Sequence, residues 1–122
     1  MGEKILVVDD DPEIQLALRG PLEEAGYSVR VCGNGNEVIP ALLDFRPALL
    51  VLDVMLPGVD GYSLVMKLSE DESFRTLPIV VLSGLGPSEA LLRAFEQVKD
   101  FIGKPFDPKS LVETVSRALA AR

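Results

Sequence analysis

Asp9-Asp10, Asp53, Ser83 and Lys104 each stand just after a short apolar run: Ile5-Leu6-Val7-Val8, Ala48 to Leu52, Leu77 to Leu82, and Phe101-Ile102. If those runs are strands of one sheet, three carboxylates, a hydroxyl and an ammonium meet on a single rim. Carboxylates that close repel one another and raise each other's pKa. A hard divalent cation removes the conflict, and an oxygen-only donor set that keeps some waters describes a Mg²⁺ site. With that charge in place, Asp53 can face a phosphoryl group as a nucleophile and form an aspartyl-phosphate. Phosphoryl transfer needs mainly in-line positioning and neutralised charge. Lys104 supplies a second cation, and the Ser83 hydroxyl can donate to a phosphoryl oxygen. Taken singly, each residue also has a structural reading: acids that cap a strand end, a solvated lysine, a turn serine before Gly84. The chemistry lies in their convergence.

Convergence requires elements that deliver these residues together. The apolar runs are short and rich in β-branched residues, and stretches of helical period separate them. Ile5 to Val8 reads as a buried strand. Asp11-Pro12 then opens a helix whose inner stripe is Ile14, Leu18, Leu22 and Ala25, with Gly26 ending it. Gly20-Pro21 interrupts that helix at a cost of about 3 kcal/mol unless it kinks. Tyr27 to Cys32 reads as a second strand, nearer an edge, and a helix follows from Gly35 or Asn36 to Phe45. Ala48 to Leu52 is the most continuously apolar strand and belongs at the centre. Asp60 caps a third helix through Leu68. Leu77 to Leu82 forms the fourth strand, Pro87 to Gln97 the fourth helix, and Phe101-Ile102 a short fifth strand. Asp107-Pro108 opens the last helix, with Leu111, Val115, Ala118 and Leu119 inward. Mostly apolar strands alternating with helices imply an α/β fold, a parallel sheet covered on both faces. The expected architecture is doubly wound and flavodoxin-like, (βα)5 with strand order 2-1-3-4-5 and ligands at the carboxyl ends of the strands. Residues 1–122 read as one domain.

Composition excludes several other classes. The sequence has 122 residues, 48% hydrophobic and 25% charged, which suits one packed core rather than disorder. It contains no His, so histidine general bases and Ser-His-Asp triads are excluded. The single Cys32 forms no internal disulfide and fits a reducing, cytoplasmic setting. No apolar stretch approaches a membrane span, and the segment MGEKILVVDDDPE is no signal peptide. A net charge of −7 opposes general binding to nucleic acid. Gly58, Gly61, Gly84 and Gly86 read as backbone freedom in loops at the rim.

The segments VVDDDP, LLVLDVMLPGVDG, PIVVLSG and FIGKPF, in that order and spacing, resemble the receiver domains of two-component response regulators. The resemblance runs from Lys4 to the final helix. It implies that Asp53 is the phosphoacceptor and that Asp9 and Asp10 hold Mg²⁺ with it, with the backbone carbonyl of Met55 as a further ligand. Ser83 stands at the family's hydroxyl position, Lys104 at its phosphate-binding lysine, and Phe101 at its aromatic switch. The Lys104-Pro105 bond matches the family's cis peptide. A phosphoryl group on Asp53 would draw Ser83 inward and let Phe101 rotate, altering the face of the fourth helix, fifth strand and fifth helix. Arg93, Lys99, Glu113 and Arg117 lie on that face, which can serve a homodimer or a target. Since the sequence has no histidine, the resemblance implies an external donor, a sensor histidine kinase or a histidine phosphotransfer protein. The recipient of the signal is a downstream protein or a covalently linked output domain.

Two departures stand out. Phe101 has no phenolic hydroxyl, so its switching should rest on packing alone or be weaker, and Glu96-Gln97-Val98-Lys99-Asp100, one residue shorter and without the glycine, stands where the family usually carries a Gly-Ala pair after the fourth helix. Met55 and Leu85, two residues beyond Asp53 and Ser83, are apolar and cannot orient an attacking water, so self-dephosphorylation should be slow. Three other readings compete. An aspartate-nucleophile phosphatase needs a second acid where Met55 stands. A flavin or nucleotide carrier needs a Gly-, Ser- or Thr-rich loop where Asp9, Asp10 and Asp11 stand. A receiver-like module that signals through protein contacts without phosphorylation is the third.

Overall fold

The computed structural model describes residues 2–56, 60–83 and 88–121, with Ser83, Ser88 and Glu89 described by backbone alone. Strands and helices alternate as β1 (Lys4–Val8), α1 (Pro12–Glu24), β2 (Ser28–Cys32), α2 (Val38–Phe45), β3 (Leu49–Asp53), α3 (Gly61–Ser69), β4 (Ile79–Ser83), α4 (Ser88–Leu92), β5 (Val98–Gly103) and α5 (Pro108–Ala120). A 3₁₀ turn, Gly35–Glu37, leads into α2. The strands form one parallel sheet in the order β2-β1-β3-β4-β5, as the alternation of elements led us to expect.

Every residue of β3 is buried, because this central strand is covered on both faces. Its alternate side chains divide the core in two. Leu50 and Leu52, with Leu6, Val8 and Val81, pack under α2, α3 and α4 through Val38, Leu42, Leu64, Leu68 and Leu92. Leu49 and Val51, with Ile5, Val7, Val80 and Leu82, pack under α1 and α5 through Leu18, Leu22, Leu111 and Val115. The edge strand β2 is only half-buried, which explains its weaker apolar pattern.

Local chemistry sets the helix starts. Asp11, Asp60 and Asp107 accept from the backbone N–H groups of Glu13, Tyr62 and Ser110, and Pro12 and Pro108 occupy first helical positions. α1 runs on through Pro21. The ring removes the bond that Ala17 carbonyl would accept, but Ala17 is exposed and water can serve there.

The C-terminal third differs from the sequence expectation. α4 ends at Leu92 rather than Gln97, and β5 begins at Val98 rather than Phe101. Ala94, Phe95 and Val98 N–H groups bond three residues back, to Leu91, Leu92 and Phe95, so the chain tightens into turns. Gln97 explains the change. Its carbonyl accepts from Ile79 N–H at 2.7 Å, which starts the β4–β5 ladder early. Its buried side-chain amide donates to the carbonyls of Phe74 and Leu77, both at 2.9 Å. A periodic apolar pattern does not reveal a glutamine held in this way. Pro87, the expected start of α4, lies outside the described residues.

Candidate functional site

Parallel pairing of Val8 with Leu52 brings the residues that follow them, Asp9 and Asp53, side by side at the carboxyl edge. Ser83 pairs with Gly103, so Lys104 emerges at the same edge. Asp9 is fully buried and Asp53 is 3% exposed, while Asp10 lies open to solvent. One carboxylate oxygen from each of the three lies within 4.8 Å of the others. The Lys104–Pro105 peptide is cis.

Lys104 ties the cluster together. Its ammonium donates to Asp9 Oδ2 at 2.8 Å and to Asp53 Oδ2 at 3.1 Å. Burial draws the lysine pKa down, but the hydrogen bonds and negative charge of Asp9 and Asp53 outweigh it, so the value stands above the usual 10.5. The outer oxygens take backbone donors. Asp11 N–H donates to Asp9 Oδ1 and Met55 N–H to Asp53 Oδ1, each at 2.9 Å. These bonds turn the second oxygen of both carboxylates toward Lys104.

The residue types fit a hard cation. All three candidate side-chain ligands are carboxylates, and with Lys104 as the only cation bonded to them among the described residues, two negative charges remain. A divalent ion cancels that excess, and each carboxylate oxygen still has a lone pair to offer.

Not every expected residue joins the cluster. The Ser83 hydroxyl and Leu85 lie outside the described residues. Met55, expected as a ligand through its backbone carbonyl, has its N–H on Asp53 and is 74% exposed. Phe101 is half-buried against the core beneath α3 and α4. The Arg93 guanidinium lies over it, 4.4 Å from the ring centre. Arg117 of α5 reaches Asp100 at 3.6 Å, on the opposite face of β5 from Phe101.

Sequence reasoning missed one contact at the acidic edge. Gln15 Nε2 donates to the backbone carbonyl of Asp9 at 2.6 Å. The signal available was a polar residue beside Ile14 in the first turns of α1, among residues that face the sheet. Gly61 was read as a flexible loop position, yet its role is closeness: a Cβ there would stand 2.6 Å from Val54 Cα. It lets α3 begin directly against the residue after Asp53.

Comparison with known proteins agrees with this geometry. The family described as response regulator receiver domain matches residues 5–116. Response regulator Rre1 of Synechocystis sp. is 38% identical over 120 residues, covering 97% of this chain and 52% of that protein. The phosphate regulon transcriptional regulatory protein PhoB of Pseudomonas aeruginosa is 34% identical, over 98% of this chain and 52% of its own length. The chain thus spans about half the length of these relatives. Among solved structures, the signal receiver domain of a signal transduction histidine kinase from Syntrophus aciditrophicus superposes with a TM-score of 0.85 at 35% identity, covering 98% of this chain and 92% of that one. The chemotaxis response regulator CheY4 of Vibrio cholerae gives 0.86 at 26% identity, with 97% and 99% covered. The chain belongs to the response regulator receiver domain family, a part of two-component signalling.

Proposed function

We propose that Asp53 accepts a phosphoryl group from a partner's phosphohistidine and that residues 1–122 act as one receiver unit. The observation that carries this reading is the pairing of a nearly buried Asp53 with Lys104 beside two further aspartates. An Asp53 carboxylate oxygen attacks phosphorus, the phosphorus–nitrogen bond breaks, and the electron pair leaves with the imidazole, which takes its proton from solvent. Lys104 moves from bridging two carboxylates to neutralising a phosphoryl oxygen, and the Ser83 hydroxyl donates to another. Asp9, Asp10, Asp53 and the backbone carbonyl of Met55 would hold Mg²⁺, whose charge would let an anionic carboxylate meet an anionic phosphoryl group. The donor is a sensor histidine kinase or a histidine phosphotransfer protein. Met55 and Leu85 offer no group to orient water, so the phosphoryl group is slow to leave. Phe101, released from its resting position, changes the face formed by α4, β5 and α5, where a downstream protein, a linked output domain or a second copy docks.

The test is intact mass after incubation with acetyl phosphate, with and without Mg²⁺, for wild type and Asp53→Asn. A single Mg²⁺-dependent phosphoryl adduct on wild type alone is the expected result. Folded wild-type protein that takes no phosphoryl group from acetyl phosphate or from a phosphohistidine donor leaves a module working through unmodified protein contacts.

A further inference from the structure

We infer that Gln15 is a positioning residue for the acidic cluster, acting through the peptide that joins Asp9 to Asp10. The inference rests on the reading of Asp9, Asp10 and Asp53 as a metal site. Asp9 and Asp53 are held in place by their own hydrogen bonds, but Asp10 is not. Its carboxylate is exposed and has no hydrogen bond or ion pair among the described residues. The main chain therefore fixes only where its Cα stands, and with it the reach of the carboxylate.

The peptide is planar, so a bond that fixes the Asp9 carbonyl oxygen also fixes the plane carrying Asp10 N and Cα. Gln15 makes that bond, at 2.6 Å. On the near side, Asp9 N–H donates to the Cys32 carbonyl at 3.1 Å, which anchors the preceding peptide to the end of β2. On the far side, Asp11 N–H returns to Asp9 Oδ1. Gln15 thus supplies the middle restraint of three. Its amide lies near the loop after β2, where an added Cβ on Gly33 would stand 3.6 Å from Nε2.

A glutamine suits this task because it donates without adding charge beside the carboxylates. Glutamate has the same shape but would set a carboxylate oxygen against the Asp9 carbonyl. Methionine fills the space and donates nothing. Partners of this outer kind commonly change metal affinity by about 10- to 100-fold.

The experiment is titration of the full chain with Mg²⁺, followed by backbone amide shifts, for wild type, Gln15→Met, Gln15→Glu, Asp10→Asn and the Gln15→Met/Asp10→Asn pair. Thermal unfolding in EDTA accompanies each. Both Gln15 variants are expected to bind Mg²⁺ about 10-fold more weakly, with unfolding midpoints in EDTA close to wild type. Gln15→Met is expected to add little further loss once Asp10 is already Asn. A purely electrostatic role would make Gln15→Glu bind more tightly and leave Gln15→Met unchanged, and that result overturns the inference. Affinities equal to wild type overturn it too, as does a Gln15→Met loss undiminished in the Asp10→Asn background. Absence of saturable Mg²⁺ binding by the wild type overturns the metal reading itself, an outcome distinct from failure of Gln15 alone.

Discussion

Lys104 stands between two carboxylates that folding has taken out of water and bonds to both, Asp9 and Asp53. Removing one partner from such a group leaves the others uncompensated. Lys104→Met is expected to lower stability in EDTA by about 2 kcal/mol, less than a fully buried pair because the lysine is partly open to solvent. Saturating Mg²⁺ is expected to restore much of that loss, since the divalent ion supplies the missing positive charge. The pH dependence has a definite sign. Because the folded pKa lies above 10.5, the stabilisation by Lys104 is fully present below pH 10.5 and fades as pH rises through the folded value. Urea unfolding of wild type in EDTA should therefore weaken more steeply above pH 10.5 than that of Lys104→Met. Equal slopes would assign the alkaline loss to other groups.

At the scale of elements, two glycines that look alike in the sequence behave differently in the fold. Gly20 lies within α1, and beyond its chain neighbours a Cβ there meets nothing within 4 Å. Gly20→Ala narrows the freedom of the unfolded chain but sets a Cβ against the ring of Pro21 in a helical conformation, so its expected effect is small, within about 0.5 kcal/mol. Gly61 opens α3 in close contact with Val54, so Gly61→Ala must displace backbone next to Asp53 and is expected to cost about 1–3 kcal/mol. Urea midpoints measured side by side should fall clearly for Gly61→Ala and stay close to wild type for Gly20→Ala. The same scale explains the short α4. A run of eleven residues with helical period was legible as a helix, but the backbone of Gln97 was recruited by β4 across the sheet, and local periodicity carries no record of that contact.

For the whole molecule, the two halves of the core clamp the sheet while the carboxyl edge gathers like charges, so folding and cation binding are linked. A cation that binds only the folded chain adds about 1.4 kcal/mol at ten times its dissociation constant. Mg²⁺ is expected to raise the thermal midpoint by about 3–6 °C in wild type. Asp9→Asn and Asp53→Asn should lose most of that increment while remaining folded, because each removes one of the clustered charges. A midpoint that responds identically in all three proteins would locate the Mg²⁺ effect elsewhere. No helix among the described residues is long and apolar enough to cross a membrane.

Much of this protein was legible before any coordinates. Apolar runs of strand length, aspartates followed by proline at helix starts, and reactive residues after four of the five runs are local properties of the chain. They determined the parallel fold, the strand order and the membership of the acidic edge. Tertiary structure decided what depends on register and distance. Only the pairing of Val8 with Leu52 shows that Lys104 touches Asp9 as well as Asp53, and only packing shows Arg93 over Phe101. Gln15 sits six residues beyond Asp9 and closes on it only because α1 folds back along β1. The physical reason is common to all three: side-chain type and period are written along the chain, whereas contacts between elements depend on how strands and helices are placed in space, even where, as for Gln15, the partners lie six residues apart.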